Sequence, residues 1–60
     1  MIIKTKDDNG RTKYYKHVSN GRPILGSKAD AASFDPETAK KVREQLATMD
    51  ARFAEADLVE

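Results

Sequence analysis

The fold is decided by the stretch NGRTKYYKHVSNG, residues 9–21, in which two Asn-Gly pairs bracket a run of strand-forming residues. An Asn-Gly pair between two extended segments favours a tight hairpin, because both residues tolerate the positive φ that a type I′ turn requires. Residues 11–18 are therefore predicted as the middle strand of a three-stranded antiparallel meander.

Side chains alternate along this strand and divide the predicted hairpin into two faces. A two-residue loop at Asn9-Gly10 places Thr5 opposite Tyr14. The core face then comprises Met1, Ile3, Thr5, Tyr14 and Val18. The other face is basic with one aromatic ring, and its candidate binding residues are Lys4, Lys6, Arg11, Lys13, Tyr15 and His17. A three-residue loop would instead turn the first strand over relative to the second.

Beyond Asn20-Gly21 the sequence predicts a short third strand and then one helix. Pro23 cannot donate a ladder hydrogen bond, so the third strand lies at an edge. Asp35 is a favourable N-cap, and Pro36 fits the first helical position. The prediction is a single α+β domain over residues 1–60, a βββα arrangement with the three-stranded antiparallel meander in 1–34 and the C-terminal helix in 35–57.

The predicted helix carries one apolar stripe at spacings of three and four residues, formed by Ala39, Val42, Leu46, Met49, Phe53 and Ala56. No Gly or Pro interrupts residues 37–60, which favours a continuous helix. Its end would project past the sheet, so we predict a homodimer contact through Met49, Phe53 and Ala56. The alternative is a helix that stops near Asp50, followed by a last strand that contains Leu58 and Val59.

Composition places this chain among small folded domains. Hydrophobic residues make up 38% of the 60 residues, enough for a core. A chain of this length buries only about 60% of its unfolded surface, and this makes dimerisation a useful source of further burial. Cysteine is absent, no signal peptide is recognised, and no apolar run approaches the roughly 20 residues of a membrane span. We expect a cytoplasmic protein with no membrane partner.

The charge is distributed unevenly along the chain, although the net charge is only +1. Residues 1–34 carry seven Lys/Arg and three Asp, which gives +4. Residues 35–60 carry four Lys/Arg and seven Asp/Glu, which gives −3. A basic sheet face opposite an acidic helix is one interpretation, and a chance imbalance in a small soluble domain is the other.

The residues that commonly carry catalysis or bind metals form no recognisable motif here. One His and no Cys cannot build a four-ligand zinc site. Asp7-Asp8-Asn9-Gly10 lacks the spacing of a calcium loop, and turn chemistry accounts for these residues. The serines lack a paired base and an orienting acid. We expect no metal, no cofactor and no enzymatic activity.

Several short phrases of the sequence resemble known small proteins. Tyr14-Tyr15, Asn20-Gly21 and Ala32-Ser33-Phe34, followed by a helix with Ala39, Val42 and Leu46, resemble the short β-hairpin-plus-helix accessory proteins of bacteriophages and prophages. A second likeness, through residues 20–24 and Ser27, is to small bacterial βββα domains of unknown function. The phage likeness implies an inhibitor made in the bacterial cytoplasm that blocks a host or defence protein, such as a CRISPR effector, a polymerase or a restriction system.

Two functions follow from these observations. The first is non-catalytic protein binding, with a bacterial host or defence protein as the partner. The second is single-stranded nucleic-acid binding, because lysines interleaved with an aromatic ring on a sheet face suit stacking and phosphate attraction.

Overall fold

A computed structural model of the chain describes residues 1–60. It contains four strands, β1 (Ile2–Lys6), β2 (Thr12–Ser19), β3 (Arg22–Gly26) and β4 (Asp57–Val59), and one helix, α1 (Pro36–Met49). The strands form one antiparallel sheet in the order β3-β2-β1-β4. The α+β class is confirmed, and the predicted three-stranded meander is extended by a fourth strand.

The first turn has a three-residue loop rather than the predicted two-residue loop. The Asp7 carboxylate accepts hydrogen bonds from the N–H groups of Asn9 (2.9 Å) and Arg11 (3.0 Å). Gly10 N–H donates to Asp7 C=O (3.0 Å), and only Gly10 in this loop has a positive φ, +77°. Such a loop, a turn closed by a left-handed glycine, is the next most common hairpin connection.

The longer loop shifts the strand register by one residue. Lys4 lies opposite Tyr14 and Thr5 opposite Lys13, whereas the sequence predicted Thr5 opposite Tyr14. A one-residue shift moves every side chain of one strand to the other face relative to its neighbour. Ile3 and Thr5 are buried as predicted, but they share their face with Tyr15 and not with Tyr14.

The second turn matches its prediction. Asn20 and Gly21 have φ values of +52° and +75°, as a type I′ turn requires, and Ser19 lies opposite Arg22. In a two-residue hairpin the next pair, Val18 and Pro23, is not hydrogen-bonded across the ladder. The nitrogen of Pro23 therefore faces the free edge of the sheet, where no hydrogen-bond donor is needed.

A β-bulge at Lys16 separates β2 into two parts. Tyr15 lies opposite Leu25 and His17 opposite Ile24, so Lys16 has no partner of its own on β3. The bulge places Leu25 on the same side of the sheet as Tyr15. Residues 32–34 lie between β1 and β2 beyond the last pair of these strands, Lys4 and Tyr14. Ala32 N–H donates to Tyr15 C=O, and Phe34 exchanges backbone hydrogen bonds with Met1.

Helix α1 begins as predicted and ends earlier. The Asp35 carboxylate accepts from Thr38 N–H (3.3 Å), with Pro36 at the first helical position. The prediction of a helix over 35–57 is wrong at its C-terminal end, because Asp50 adopts an extended conformation and its carboxylate accepts from Arg52 N–H (3.1 Å). A straight helix over 35–57 would be about 35 Å long, which exceeds the 28 Å longest extent of the molecule.

After the helix a 3-10 turn, Ala51–Glu55, leads into β4, as the alternative interpretation proposed. Two arginines hold this segment in place. Arg43 donates to Ala56 C=O (3.2 Å), and the Arg52 guanidinium pairs with Asp8 (2.7 Å) and Asp50 (3.0 Å). The Arg52–Asp8 pair joins the first turn to the chain 44 residues later.

The core lies between α1 and one sheet face. Its buried cluster consists of Ile3, Tyr15, Leu46, Phe53 and Ala56. Phe53 is fully buried and Ala56 is 4% exposed, so neither can reach a second copy as predicted for a dimer. Of the three predicted dimer residues, only Met49 is exposed, at 50%.

Replacement of Phe53 tests whether the segment after the helix belongs to the core. We expect Phe53→Ala to cost about 3–5 kcal/mol, because it leaves a cavity where a ring was fully enclosed. At about 0.05–0.15 kcal/mol per residue, the total stability of 60 residues is about 3–9 kcal/mol. Urea denaturation followed by circular dichroism should show a midpoint far below that of the parent, whereas Met49→Ala should unfold close to the parent. Equal midpoints for both variants would contradict this core.

The Asp7 carboxylate predicts a pH dependence of stability. The N–H groups of Arg11 and Asn9 hold the pKa of this carboxyl below its usual value of 3.8 in the folded state. The carboxylate therefore stabilises the fold above that value, and its contribution is lost as the pH falls through the lower folded pKa. Urea midpoints measured between about pH 3 and pH 6 should decline less steeply for Asp7→Asn than for the parent. Glu44→Gln, on the exposed side of α1, is the control and should keep the parental slope.

Candidate nucleic-acid or protein interface

The side of the sheet that faces away from α1, here called the outer face, is not covered by the helix. Strand alternation and register place on it the residues Ile2, Lys4, Lys6, Thr12, Tyr14, His17, Ser19, Arg22, Ile24, Asp57 and Val59. Lys16 joins them, because a Cβ added at Gly26, opposite Tyr14, would lie 2.5 Å from Lys16 Cδ. Glycine at position 26 thus provides the space for the Lys16 side chain.

Tyr14 lies near the middle of the outer face. It is directly opposite Lys4 on β1 and opposite Gly26 on β3, and its ring is half-buried. The outer face carries the lysines Lys4, Lys6 and Lys16, the arginine Arg22 at the start of β3, and one carboxylate, Asp57 opposite Lys4, so its formal charge is 4 − 1 = +3. Both ion pairs of the chain involve Arg52, so these three ammonium groups have no carboxylate within 4.0 Å.

Apolar side chains share this face with the lysines. Ile2 lies opposite Val59, Ile24 lies opposite His17, and all but the histidine are half-buried. The face therefore combines one aromatic ring, three aliphatic β-branched side chains and unpaired positive charge. Such a mixture suits contact with an anionic, partly apolar surface.

The predicted binding residues do not all lie together. Lys4, Lys6 and His17 are on the outer face, and Arg11 is exposed at the first turn. Lys13 is opposite Thr5 on the helix side of the sheet. These four cations and His17 therefore no longer form the single face that the sequence predicted.

Tyr15 is the principal correction to the predicted site. It is 8% exposed, stacks on Phe34 with ring centroids 6.2 Å apart, and meets the edge of Phe53 at 6.3 Å. Burial raises the pKa of its hydroxyl above the usual 10.0. A ring packed in this way cannot stack on a ligand.

Sequence reasoning missed Tyr14, which it assigned to the core face, and Lys16, which regular alternation from Tyr14 puts on that face as well. Two signals could have found them. Asp7 lies two residues before Asn9, where a carboxylate caps a three-residue loop. Regular alternation would also place Lys16 on the core face, and a lysine in a core is rare, which indicates an irregularity in the strand at this residue.

The structure also has an open polar pocket of about 260 Å³ beside β1, lined by Lys4, Thr5, Lys6, Arg52, Glu55 and Asp57. Both signs of charge line it, and Arg52 is already bound to Asp8 and Asp50. No group of three His, Asp or Glu side chains is close enough to hold a metal ion. No helix has the length and apolar character needed to cross a membrane.

Comparisons with family models, with curated proteins and with solved structures yield no match for this chain.

The two adjacent tyrosines provide a matched test of the faces. Tyr15→Ala should destabilise the fold by about 3–5 kcal/mol, because its ring packs between Phe34 and Phe53. Tyr14→Ala should cost about 1 kcal/mol, because its ring lies on the uncovered side of the sheet. Thermal and urea unfolding of the two variants measure both values. If Tyr14→Ala is instead the more destabilising substitution, the register predicted from the sequence, with Tyr14 in the core, is the correct one.

Proposed function

We propose that this protein is a non-catalytic protein-binding module that uses the outer face to bind an acidic, partly apolar surface of its partner. The observation that carries the proposal is the cluster of Tyr14, Lys4 and Lys16 on a sheet face without a covering helix. Tyrosine is enriched among the residues that dominate binding energy, and its ring buries a large area at low entropic cost.

The lysines provide charge complementarity to an acidic partner. Since no carboxylate of the chain lies within 4.0 Å of their ammonium groups, binding does not have to break internal ion pairs first. Exposed lysines at the border of an interface mainly raise the association rate and select the partner. The apolar contribution comes from Ile2, Ile24 and Val59, which are half-buried in the free protein.

Single-stranded nucleic acid is the second candidate for the same face. Tyr14 with three lysines favours it, because base stacking and phosphate attraction use these groups. The face has one aromatic ring, however, whereas strand-binding sheets stack successive bases on several. The aliphatic neighbours of Tyr14 suit protein contact better, so we place protein binding first.

The proposed mode of action is occlusion. A module of this size covers a surface of its partner, and if that surface is needed for the partner's activity the result is inhibition. The role implied by the phage resemblance, inhibition of a host or antiviral-defence protein by a phage-encoded binder, belongs to this proposal.

Affinity capture with charge-reversal variants tests the proposal. Tagged parent protein, Lys4→Glu/Lys16→Glu and the matched control Lys40→Glu/Lys41→Glu are incubated with bacterial lysate, and bound proteins are identified by mass spectrometry. Both control lysines are exposed on α1. We expect the parent and the control to capture the same proteins and the outer-face variant to lose them. Equal capture by all three would overturn the proposal.

A parallel titration with single-stranded DNA and RNA oligonucleotides over a salt series distinguishes nucleic-acid binding from protein binding by the outer face. Salt-sensitive binding that is lost in Tyr14→Ala would favour nucleic acid as the ligand. Absence of binding at low salt would remove it.

A further inference from the structure

The polar pocket beside β1 lies where the sheet is incomplete. β4 pairs only with residues 2–4 of β1, so Thr5 and Lys6 have no strand next to them on that side. The chain reaches β4 through the 3-10 turn Ala51–Glu55, and this turn forms the other wall of the gap. The result is an open cavity of about 260 Å³, lined by Lys4, Thr5, Lys6, Arg52, Glu55 and Asp57.

Charged groups of both signs line this pocket without neutralising one another. Both ion pairs of the chain involve Arg52, so Lys4, Lys6, Glu55 and Asp57 make none within 4.0 Å. Even Lys4 and Asp57, which lie directly opposite each other on β1 and β4, are not paired. Two ammonium groups and two carboxylates are therefore available to a bound molecule.

Arg52 adds hydrogen-bond donors to the pocket. Its Nη2 and Nε bind Asp8 (2.7 Å) and Asp50 (3.0 Å), whereas Nη1 makes only a long contact of 3.5 Å with Lys6 C=O. A guanidinium has five N–H donors, so these contacts leave some of them unused. Arg52 can therefore donate to an anionic group in the pocket without releasing its two carboxylates.

The charges of the pocket select the class of ligand. A simple anion such as phosphate would face the carboxylates of Glu55 and Asp57, and a simple cation would face Lys4, Lys6 and Arg52. A molecule that carries one negative and one positive group satisfies both sets, through charge-assisted hydrogen bonds. None of the lining side chains is apolar, so the ligand is polar throughout.

We propose that this pocket binds a small zwitterion, a free α-amino acid with a polar side chain. Its carboxylate pairs with Lys6 and Arg52, and its ammonium group pairs with Glu55 and Asp57. The cavity is smaller than the roughly 300–1,000 Å³ of pockets that hold drug-sized ligands, which suits a molecule of this size. Because the pocket is open, solvent screens the ion pairs and we expect millimolar affinity.

This site does not depend on the function proposed for the outer face. Lys4, Lys6 and Asp57 belong to both surfaces, whereas Glu55 lines the pocket alone. Glu55→Gln should therefore weaken amino-acid binding and leave the capture of proteins by the outer face unchanged. The two proposals can fail separately.

Titration of the isotope-labelled parent protein with L-glutamine, followed by nuclear magnetic resonance, tests the proposal. Two analogues separate the charges of the ligand, since N-acetyl-L-glutamine keeps only the carboxylate and L-glutaminamide keeps only the ammonium group. We expect L-glutamine to bind about fivefold more tightly than either analogue, because each analogue loses one set of ion pairs. Amide shifts should concentrate at Thr5, Lys6 and Glu55.

Substitutions in the pocket should affect the two charges of the ligand differently. Glu55→Gln should weaken L-glutamine about fivefold without weakening N-acetyl-L-glutamine, whereas Lys6→Gln should weaken both. The matched controls Glu44→Gln and Lys40→Gln make the same charge changes at exposed positions of α1 and should bind all three ligands like the parent. Circular dichroism confirms that each variant is folded.

Four outcomes would overturn the proposal. The first is the absence of shifts at millimolar L-glutamine, and the second is a set of shifts away from the pocket. The third is equal binding of L-glutamine and either N-acetyl-L-glutamine or inorganic phosphate, because the pocket would then be a simple anion site. The fourth is equal binding of L-glutaminamide, which would identify a cation site.

Discussion

The structure depends on the Asp7 carboxylate and the three-residue loop that it closes. By accepting two backbone N–H groups, Asp7 adds one residue to the loop, and this residue shifts the register of β1 on β2. The shift determines which tyrosine is buried. Tyr15 joins Ile3 in the core and Tyr14 joins the lysines on the outer face, so the length of this loop decides which aromatic ring is accessible at the surface.

The bulge at Lys16 is the second constraint on the surfaces. It reverses the alternation of β2, so His17 and Lys16 both lie on the outer face, while Val18 and Pro23 lie on the helix side. One irregular residue therefore supplies a cation to the outer face and leaves the exposed Val18 on the helix side of the sheet. Bulges commonly redirect side chains in this way near binding sites.

The segment after α1 shows how a small domain completes its core. Asp50 ends the helix by capping the next turn, which directs the Phe53 ring into the space between helix and sheet. β4 then pairs with β1 and Arg52 ties the segment back to Asp8. Residues that an extended helix would have exposed provide the largest fully buried side chain of the protein, Phe53. This burial removes most of the predicted dimer contact.

The sequence by itself determined the α+β class, the second turn and the start of the helix, because Asn20-Gly21 and Asp35-Pro36 act through local backbone preferences. It also determined that Ile3, Thr5 and Leu46 are buried and that Lys4 and Lys6 lie on the sheet face away from the helix. Only the tertiary structure decided the β1–β2 register, the bulge, the end of the helix and the fourth strand. Each of these is a choice between two locally acceptable conformations, such as two- and three-residue loops. The Asp7 hydrogen bonds favour the three-residue loop, and burial of Tyr15 and Phe53 against residues far away in the chain completes the choice.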